Sequence, residues 1–391
     1  MDLLPILGLV CVLIWVYLLF LRGGFWRVRA NLAGSQTDTR RLPVAVVIPA
    51  RNEAATIGKS ISSLLEQQTV AEVHVIVVDD DSSDGTAEVA RQAAAAEGKE
   101  NRLTIVHGAT LPAGWTGKLW AVQQGLREAQ QQNPEYFLLT DADIQHGPRN
   151  LVSLLEIAEA GKYDLTSFMV GLRCETLAEK LLIPPFVYFF FKLYPPAWIR
   201  SERHKTAAAA GGCMLVRAAA LTRIGGMESI RGELIDDCAL ANAIKQSGGR
   251  VWLGLTNSAQ SLRAYNSLSE IERMISRTAF NQLRHSTLLL LAVIAGMAAT
   301  YLLPPALLFS GGALPVSLGA AACIMMAGSY LPIVRFYRLN PVWSLALPVA
   351  ALFYLRATTH SALNYWSGRG GEWKGRTQDR ARFKQETDRA P

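Results

Sequence analysis

The chain has 391 residues, 50% of them apolar and 18% charged, with 39 Lys and Arg against 32 Asp and Glu. That length houses one large domain or two ordinary ones, with a sizeable core. Soluble proteins carry about 25% charged residues, so this charge-poor, balanced composition excludes a disordered chain and a nucleic-acid-binding tail protein.

The net charge of +7 is concentrated in two places. Residues 22–41 hold Arg22, Arg27, Arg29, Arg40 and Arg41 against Asp38, and residues 367–391 hold seven cations against four anions. Together they carry the whole excess. Basic segments beside apolar ones point to a membrane surface rather than to nucleic acid.

The first apolar segment, Leu3 to Leu21, has 19 residues and no charged side chain. As a helix it reaches roughly 28 Å, which just spans a hydrocarbon core of ~30 Å. A secretory signal would place cations before this run and a small-residue cleavage site after it. Here Asp2 precedes it, and Gly23, Phe25 and Trp26 lie among arginines behind it. The expectation is an uncleaved anchor over residues 1–22, with its N-terminus outside.

Residues 43–285 are the only stretch able to house aqueous chemistry. Val44 to Ile48 and Val73 to Val78 are β-branched runs of strand length, ending at Pro49 and Asp79. Between them, Glu53 to Gln67 places Ile57, Ile61, Leu64 and Leu65 at helical spacing. A helix over Asp84 to Glu97, a strand over Leu103 to Val106, a helix over Lys118 to Gln132 and a strand over Tyr136 to Leu139 follow. Alternating strands and helices predict an α/β fold with a mostly parallel sheet covered on both faces. Ligands of such sheets bind beyond the carboxyl ends of the strands, where Asp79, Asp80, Asp81, Asp141 and Asp143 fall. The alanine runs at Ala93 to Ala96 and Ala207 to Ala210 read as helix or packing.

Four constellations carry chemistry. Asp141-Ala142-Asp143 leaves a strand with two carboxylates one residue apart, able to hold a hard divalent cation that also takes diphosphate oxygens. On its own the same triplet describes an acidic turn capping a helix. Pro49-Ala50-Arg51-Asn52-Glu53 and Asp79-Asp80-Asp81-Ser82-Ser83-Asp84 set small backbone and carboxylates at strand ends. They suit the base and ribose of a nucleoside, and Asn52 and Asp84 also suit helix starts. Gly114-Trp115-Thr116-Gly117-Lys118 offers backbone N–H groups, a lysine and a positive helix end to an anion, or is a surface turn. It lacks the full P-loop pattern. Asp236-Asp237 opens a helix, where a carboxylate tuned by burial takes a proton from an attacking hydroxyl or merely caps.

Leu181 to Trp198 is aromatic-rich, and Pro184-Pro185 break it too much to span. It suits an interfacial helix guiding a lipid hydroxyl, or a core helix under the sheet. From Ser286 to Val334, 49 residues contain no Asp, Glu, Lys, Arg or His, and Ser310-Gly311-Gly312 marks a turn midway. Basic residues on both flanks predict a helical hairpin entered and left from the cytoplasm. Leu339 to Leu355 is uncharged, but Arg356 and His360 interrupt its continuation, so residues 286–366 hold two spans plus a third span or a re-entrant helix. The preferred side for the basic tail, residues 367–391, is inside. Five widely spaced cysteines give neither a disulfide framework nor a zinc pattern.

Strand–Pro-Ala-x-Asn-Glu, strand–Asp-Asp-x-Ser, strand–Asp-x-Asp, Gly211-Gly212-Cys213-Met214 and an acidic pair occur in this order. The set resembles the family 2 glycosyltransferases of GT-A fold. Gly-Trp-Thr-Gly-Lys, the membrane layout and Trp373-Lys374-Gly375-Arg376 are similar to the hopene-associated membrane glycosyltransferases of bacteria, with relatives among the carotenoid glycosyltransferases. The resemblance implies a nucleotide-sugar donor, its uridine held by Pro49, Ala50, Glu53, Asp79 and Asp80 and its diphosphate by Lys118. It implies Mg²⁺ or Mn²⁺ on Asp141 and Asp143, and Asp237 as general base beside Asp236, where the family has a Glu-Asp pair. It also implies a lipid acceptor, possession of a cytosolic catalytic domain on the bacterial inner membrane, and no nucleic-acid partner. Arg277, Gln282 and Arg284 stand where processive members carry Gln-x-x-Arg-Trp. The spacing and the tryptophan are absent, which predicts a single transfer, with these three residues as diphosphate contacts or a juxtamembrane anchor. Two further readings remain open: a polyprenyl-phosphate glycosyltransferase and a non-catalytic membrane scaffold.

Overall fold

The computed structural model describes residues 3–27, 42–68, 73–368, 372–373 and 376–377. Most of both basic segments, and Lys374-Gly375 of the last motif, lie outside the described residues. The described chain divides into two compact units, one of residues 3–27, 174–197 and 265–368, the other mainly of residues 42–173 and 198–264.

The second unit is built on an eight-stranded sheet. Its strands are β1 (Val44–Ala50), β2 (Val73–Asp79), β3 (Leu103–His107), β4 (Tyr136–Thr140), β5 (Ile144–His146), β6 (Leu165–Gly171), β7 (Cys213–Arg217) and β8 (Val251–Ser261), in the order β3-β2-β1-β4-β7-β6-β8-β5. β3, β2, β1 and β4 run parallel. β7 is antiparallel to β4 and β6, and β5 to β8. All seven residues of β1 are buried, as a central strand covered by helices on both faces requires. The predicted elements from β1 through β4 are present. The short β5 and the strands beyond it, which no regular alternation announced, complete the sheet.

The topology decides where a ligand can sit. From β1 the chain adds β2 and β3 on one side and then crosses to place β4 on the other. The order reverses between β1 and β4, which opens a crevice at their carboxyl ends. Pro49, Asp79 and Asp141 therefore converge there. Ala207 to Ala210 is not helical but a buried loop leading to β7, so packing is what those alanines serve. The helix Gly117–Gln130 rests on β1 and β2 through Gly125, where a Cβ would overlap Val47 and reach Val78 Cγ2 at 3.0 Å.

The first unit is helical. Four of its helical segments are long and apolar enough to cross a membrane: Leu3–Leu21, Thr287–Leu307, Ala313–Phe336 and Pro341–Trp366. The glycine turn falls as expected, with Gly311 at φ 76°. The tandem prolines do not break their segment, contrary to the sequence reading. Leu177–Leu193 is one 17-residue helix with a Thr176/Glu179 capping box, whose buried Glu179 also accepts from Tyr265 N at 3.0 Å. Tyr188 Oη meets Ser329 Oγ at 2.7 Å, and Tyr354 Oη donates to Leu182 O at 2.8 Å, so this helix packs among the apolar helices.

Arg356 and His360 do not stop the last helix either. Both sit against Glu272, at 3.2 and 3.1 Å. Trp366 and Tyr365, at its C-terminal end, pack edge-on against Phe280, and Tyr365 stacks on His285 at 4.0 Å.

The glycine packing gives a direct stability test. Gly125→Val should destabilise the chain by about 1–3 kcal/mol through overpacking against Val47. A fall in melting temperature of the purified chain in detergent is the measurement.

Candidate functional site

Two loops beyond β1 and β2 are tied together before any ligand is considered. Asn52, in the left-handed region at φ 52°, accepts from Ser83 N at 2.9 Å and donates its own N–H to Ser82 Oγ at 3.0 Å. Asp84 accepts from Thr86 N at 3.1 Å, in its own helix, and from Ala54 N at 3.0 Å, the first residue of the other. The capping expected of Asp84 is thus shared by two helices. These bonds outweigh burial and hold its carboxyl below the usual range. Asp79 accepts from Ser82 N at 3.1 Å. Asp80 lies against Arg51, whose Nη1 is 3.6 Å from its Oδ2. Gly108 closes this corner, since a Cβ there would come within 3.0 Å of Asp80 Cα. Its role was invisible in sequence, because nothing local marks a loop pressed against a neighbouring strand end.

The second cluster lies at the ends of β4 and β7 and the start of the helix Asp236–Gln246. Thr116 caps the helix Gly117–Gln130, accepting from Leu119 N at 3.4 Å, so Lys118 emerges in the first turn. Lys118 Nζ lies 2.9 Å from Asp141 Oδ1 and 3.2 Å from Asp236 Oδ2. Burial alone would pull the ammonium down, but Asp141 and Asp236 outweigh it and hold the group above the ordinary lysine value. The lysine is a fixed positive charge. A small cleft formed with Pro49, Gly211, Met214, Met227 and Leu240 surrounds these side chains.

Asp237 is held differently from its neighbour. Its Oδ2 accepts from Gly211 N at 2.8 Å and its Oδ1 from Cys238 N at 2.7 Å. Burial first, and then the charge on Asp236, push its carboxyl up to about 6, against the opposing pull of Lys118 and the two N–H groups. A Cβ on Gly211 would be a tight fit, 3.3 Å from Asp237 Oδ2 and 3.5 Å from Lys118 Nζ.

Asp143 is tied to the end of β8. Its backbone oxygen accepts from Leu262 N at 2.7 Å, and Ser261 Oγ lies 3.4 Å from its Oδ2. Burial, then Asp141 and Glu53, push its carboxyl up to about 6, with Arg263 opposing. Among the described residues, no group of three or more His, Cys, Asp and Glu is arranged to hold a metal. The fit to a divalent cation rests on the Asp141–Asp143 pair, whose mutual repulsion with Glu53 a hard cation would relieve. Arg263 was not singled out by sequence.

Arg277, Gln282 and Arg284 belong to the other unit, in and after the helices Leu268–Ser276 and Ala279–Gln282. There Gln282 donates to Tyr194 Oη.

Residues 45–225 match the model of the glycosyl transferase family 2 domain. The chain carries a family 2 glycosyltransferase domain. In structure, the chain is similar to the mannosyltransferase PcManGT from Pyrobaculum calidifontis, crystallised with GDP-Man and Mn²⁺, at a TM-score of 0.54 and 18% identity over 92% of this chain and 99% of that one. That likeness is one of fold. In sequence, the glycosyltransferase domain is 34% identical over 128 residues to the undecaprenyl-phosphate 4-deoxy-4-formamido-L-arabinose transferase of Aeromonas hydrophila, covering 32% of this chain and 36% of that protein. It is 35% identical over 102 residues to the 4,4'-diaponeurosporenoate glycosyltransferase of Staphylococcus haemolyticus, covering 26% of this chain and 24% of that protein. The chain spans well under half the length of these curated relatives.

The state of Asp237 has a stability consequence with a definite sign. An acid whose folded value is raised binds more protons folded than unfolded, so its contribution favours folding at low pH and is lost as pH rises from about 4 to about 6. Asp237→Asn removes that loss. Relative to the native chain, its melting temperature should therefore stand higher at about pH 7.5 than at about pH 4.5; an unchanged difference would mean that Asp237 is not held as described.

Proposed function

We propose that this protein is an inverting glycosyltransferase of the bacterial cytoplasmic membrane, moving one sugar from a nucleotide-sugar donor to the hydroxyl of a membrane lipid. The observation that carries the reading is the cleft in which Lys118 joins the Asp141 end of β4 to the Asp236-Asp237 helix start. The base and ribose of the donor lie over Pro49, Ala50, Glu53, Asp79 and Asp80. Lys118 and the helix start behind it take the diphosphate. Asp141 and Asp143 hold Mg²⁺ or Mn²⁺, which when bound neutralises charge developing on the departing diphosphate.

Asp237 supplies the base. Raised to about 6, it is ionised at neutral pH yet more basic than an ordinary aspartate, which suits proton abstraction. It takes the proton of the acceptor hydroxyl while that oxygen attacks the anomeric carbon. The bond to the diphosphate breaks on the opposite face, and the nucleoside diphosphate leaves with the electron pair. In-line attack inverts the anomeric centre. Asp236 tethers Lys118 and raises Asp237 by its charge.

The acceptor is a lipid of isoprenoid class, with a hopanoid as one candidate. The apolar helices and the names of the two sequence relatives, an undecaprenyl-phosphate 4-deoxy-4-formamido-L-arabinose transferase and a 4,4'-diaponeurosporenoate glycosyltransferase, support it. The first of those names also supports a second reading, transfer to a polyprenyl phosphate, which needs no general base. A panel of UDP- and GDP-sugars with total lipid extract, read by mass spectrometry, should give a lipid carrying one added hexose or N-acetylhexosamine. Asp237→Asn should lower that transfer by about a thousandfold or more, and Asp143→Ala should abolish the Mn²⁺-dependent transfer. Near-native turnover of Asp237→Asn would favour the phosphate acceptor.

Contacts inside the helical unit support a cytoplasmic side for the basic tail. Residues 280–285, just before the apolar hairpin, touch Tyr365 and Trp366 at the end of the last helix. Both lie at one level, the cytoplasmic side by the charge rule, so the basic tail is inside. A green fluorescent protein fused after Pro391 should fluoresce, and alkaline phosphatase fused there should stay inactive; the reverse pattern would overturn this topology.

A further inference from the structure

Below the cleft lies a buried polar chain that no step above uses. Thr140, the last residue of β4, has its Oγ1 2.7 Å from the carbonyl of Gly212 and 3.0 Å from His146 Nε2. His146 Nδ1 lies 2.9 Å from Asn150 Nδ2. Asn150 Oδ1 lies 2.9 Å from Ser258 Oγ, which in turn lies 2.6 Å from Thr256 Oγ1. Thr140, His146, Asn150 and Thr256 are buried.

The direction of every proton in this chain follows from one atom. A carbonyl oxygen cannot donate, so the single hydroxyl proton of Thr140 goes to Gly212 O. Thr140 Oγ1 must then accept from the imidazole, which places the ring proton on Nε2. Nδ1 is left as an acceptor and takes an N–H from Asn150. The Asn150 oxygen therefore faces Ser258, which donates to it and accepts from Thr256. No free choice of tautomer or amide orientation remains. Burial, with no carboxylate beside the ring, pushes the imidazole down to about 4 and keeps it neutral.

The position of this chain gives it a task. Thr140 pairs with Cys213 in the β4–β7 ladder, and its hydroxyl extends that ladder by one further bond to Gly212. On one side of the bond the next residue is Asp141. On the other, Gly211 supplies the N–H that holds Asp237. His146 N also donates to Ser63 Oγ at 3.0 Å, which anchors the ring from the helix Ala54–Leu65.

We propose that His146 is a positioning residue: its neutral Nε2–H form aims the Thr140 hydroxyl at Gly212 and so fixes together the Asp141 strand end and the Gly211 N–H that holds Asp237. It touches neither substrate nor reacting atoms. The consequence for rate rests on the roles proposed above for Asp141 and Asp237, while the tautomer stands independently of them.

The test has two arms. In the first, the full chain in lipid nanodiscs is labelled with ¹⁵N-histidine, and His146 is assigned from the signal lost in His146→Gln. Solid-state ¹⁵N spectra should show Nε2 protonated and Nδ1 bare between about pH 5.5 and 8, since burial keeps a histidine from titrating there. A ring that titrates in that window, or carries its proton on Nδ1, overturns the proposal whether or not the chain transfers sugar. In the second arm, turnover of the active donor is compared among variants. Thr140→Val should lower kcat by roughly tenfold to a hundredfold with donor KM within about twofold, as expected for misplaced groups that still bind. Its acid limb should also move to higher pH, because Asp237 loses part of its hold on Gly211 N–H. Thr140→Ser, which restores the hydroxyl, should recover most of the loss. Native kcat in Thr140→Val, or equal losses in the two variants, overturns the proposal. Where Thr140→Val fails to fold, His146→Gln, which keeps an Nε2 donor, is read in its place against His146→Leu, and equal losses there have the same meaning. Full activity of Asp237→Asn would remove the base assignment alone.

Discussion

The site depends on one electrostatic constraint: its carboxylates outnumber its cations in a space too small for them. Two like charges about 4 Å apart repel by about 4 kcal/mol at the effective dielectric of a protein surface. Asp141, Asp236 and Asp237 cannot converge without a counter-charge. Lys118 provides it from a helix start, contacting the first two directly and acting on the third through the field. Among the described residues Lys118 makes no ion pair with Asp143. Its carboxyl is raised by burial, by Asp141 and by Glu53. The two halves of the cluster thus differ in what they lack. One is partly offset by Lys118, and in the other only Arg263 opposes the carboxylates around Asp143.

The constraint works only because the backbone holds each charge in place. The reversal of strand order at β1 and β4 puts the two strand ends side by side. The antiparallel β7 then returns Gly211 and Gly212 to the end of β4, opposite Thr140. A parallel strand in that place would have pointed its amino end away from the carboxyl ends of its neighbours. One change of direction in an otherwise parallel half-sheet therefore delivers both the N–H for Asp237 and the carbonyl for Thr140. The loops of β1 and β2 are pinned by Asn52 and Asp84 in the same economical way, through short polar side chains that bond backbone.

How much of this could be read in the sequence follows from the range over which each signal acts. The strands from β1 to β4 and their helices were legible because β-branched runs and helical spacing are local. Asp141, Asp143, Asp236, Asp237 and Lys118 were legible as residue types at element ends. That Lys118 meets both Asp141 and Asp236 was not, because it depends on which helix lies across which strand. Gly108 and Arg263 were missed for the same reason. His146 gave no signal at all, since an isolated histidine on a short strand looks like any other core residue. The prolines at 184 and 185 misled in the opposite direction. Proline forbids one hydrogen bond and crowds the preceding turn, but this helix buries Pro184 and Pro185 together with its own Tyr188 and Phe191, and that packing absorbs the local loss.

The same distinction between local composition and packing explains the last apolar helix. Arg356 and His360 are four residues apart and so share one face. Exposed to hydrocarbon, either charge would be costly. Glu272, itself largely buried on the short helix Leu268–Ser276, meets both, so each has a counter-charge beside it. Glu272 precedes the hairpin in sequence, and Phe280 and His285 continue the same contact down to Tyr365 and Trp366. The two charges that interrupt the segment in sequence are therefore tied through Glu272 to the helix Leu268–Ser276, and the Phe280 and His285 contacts hold the C-terminal end of the last helix beside the start of the hairpin.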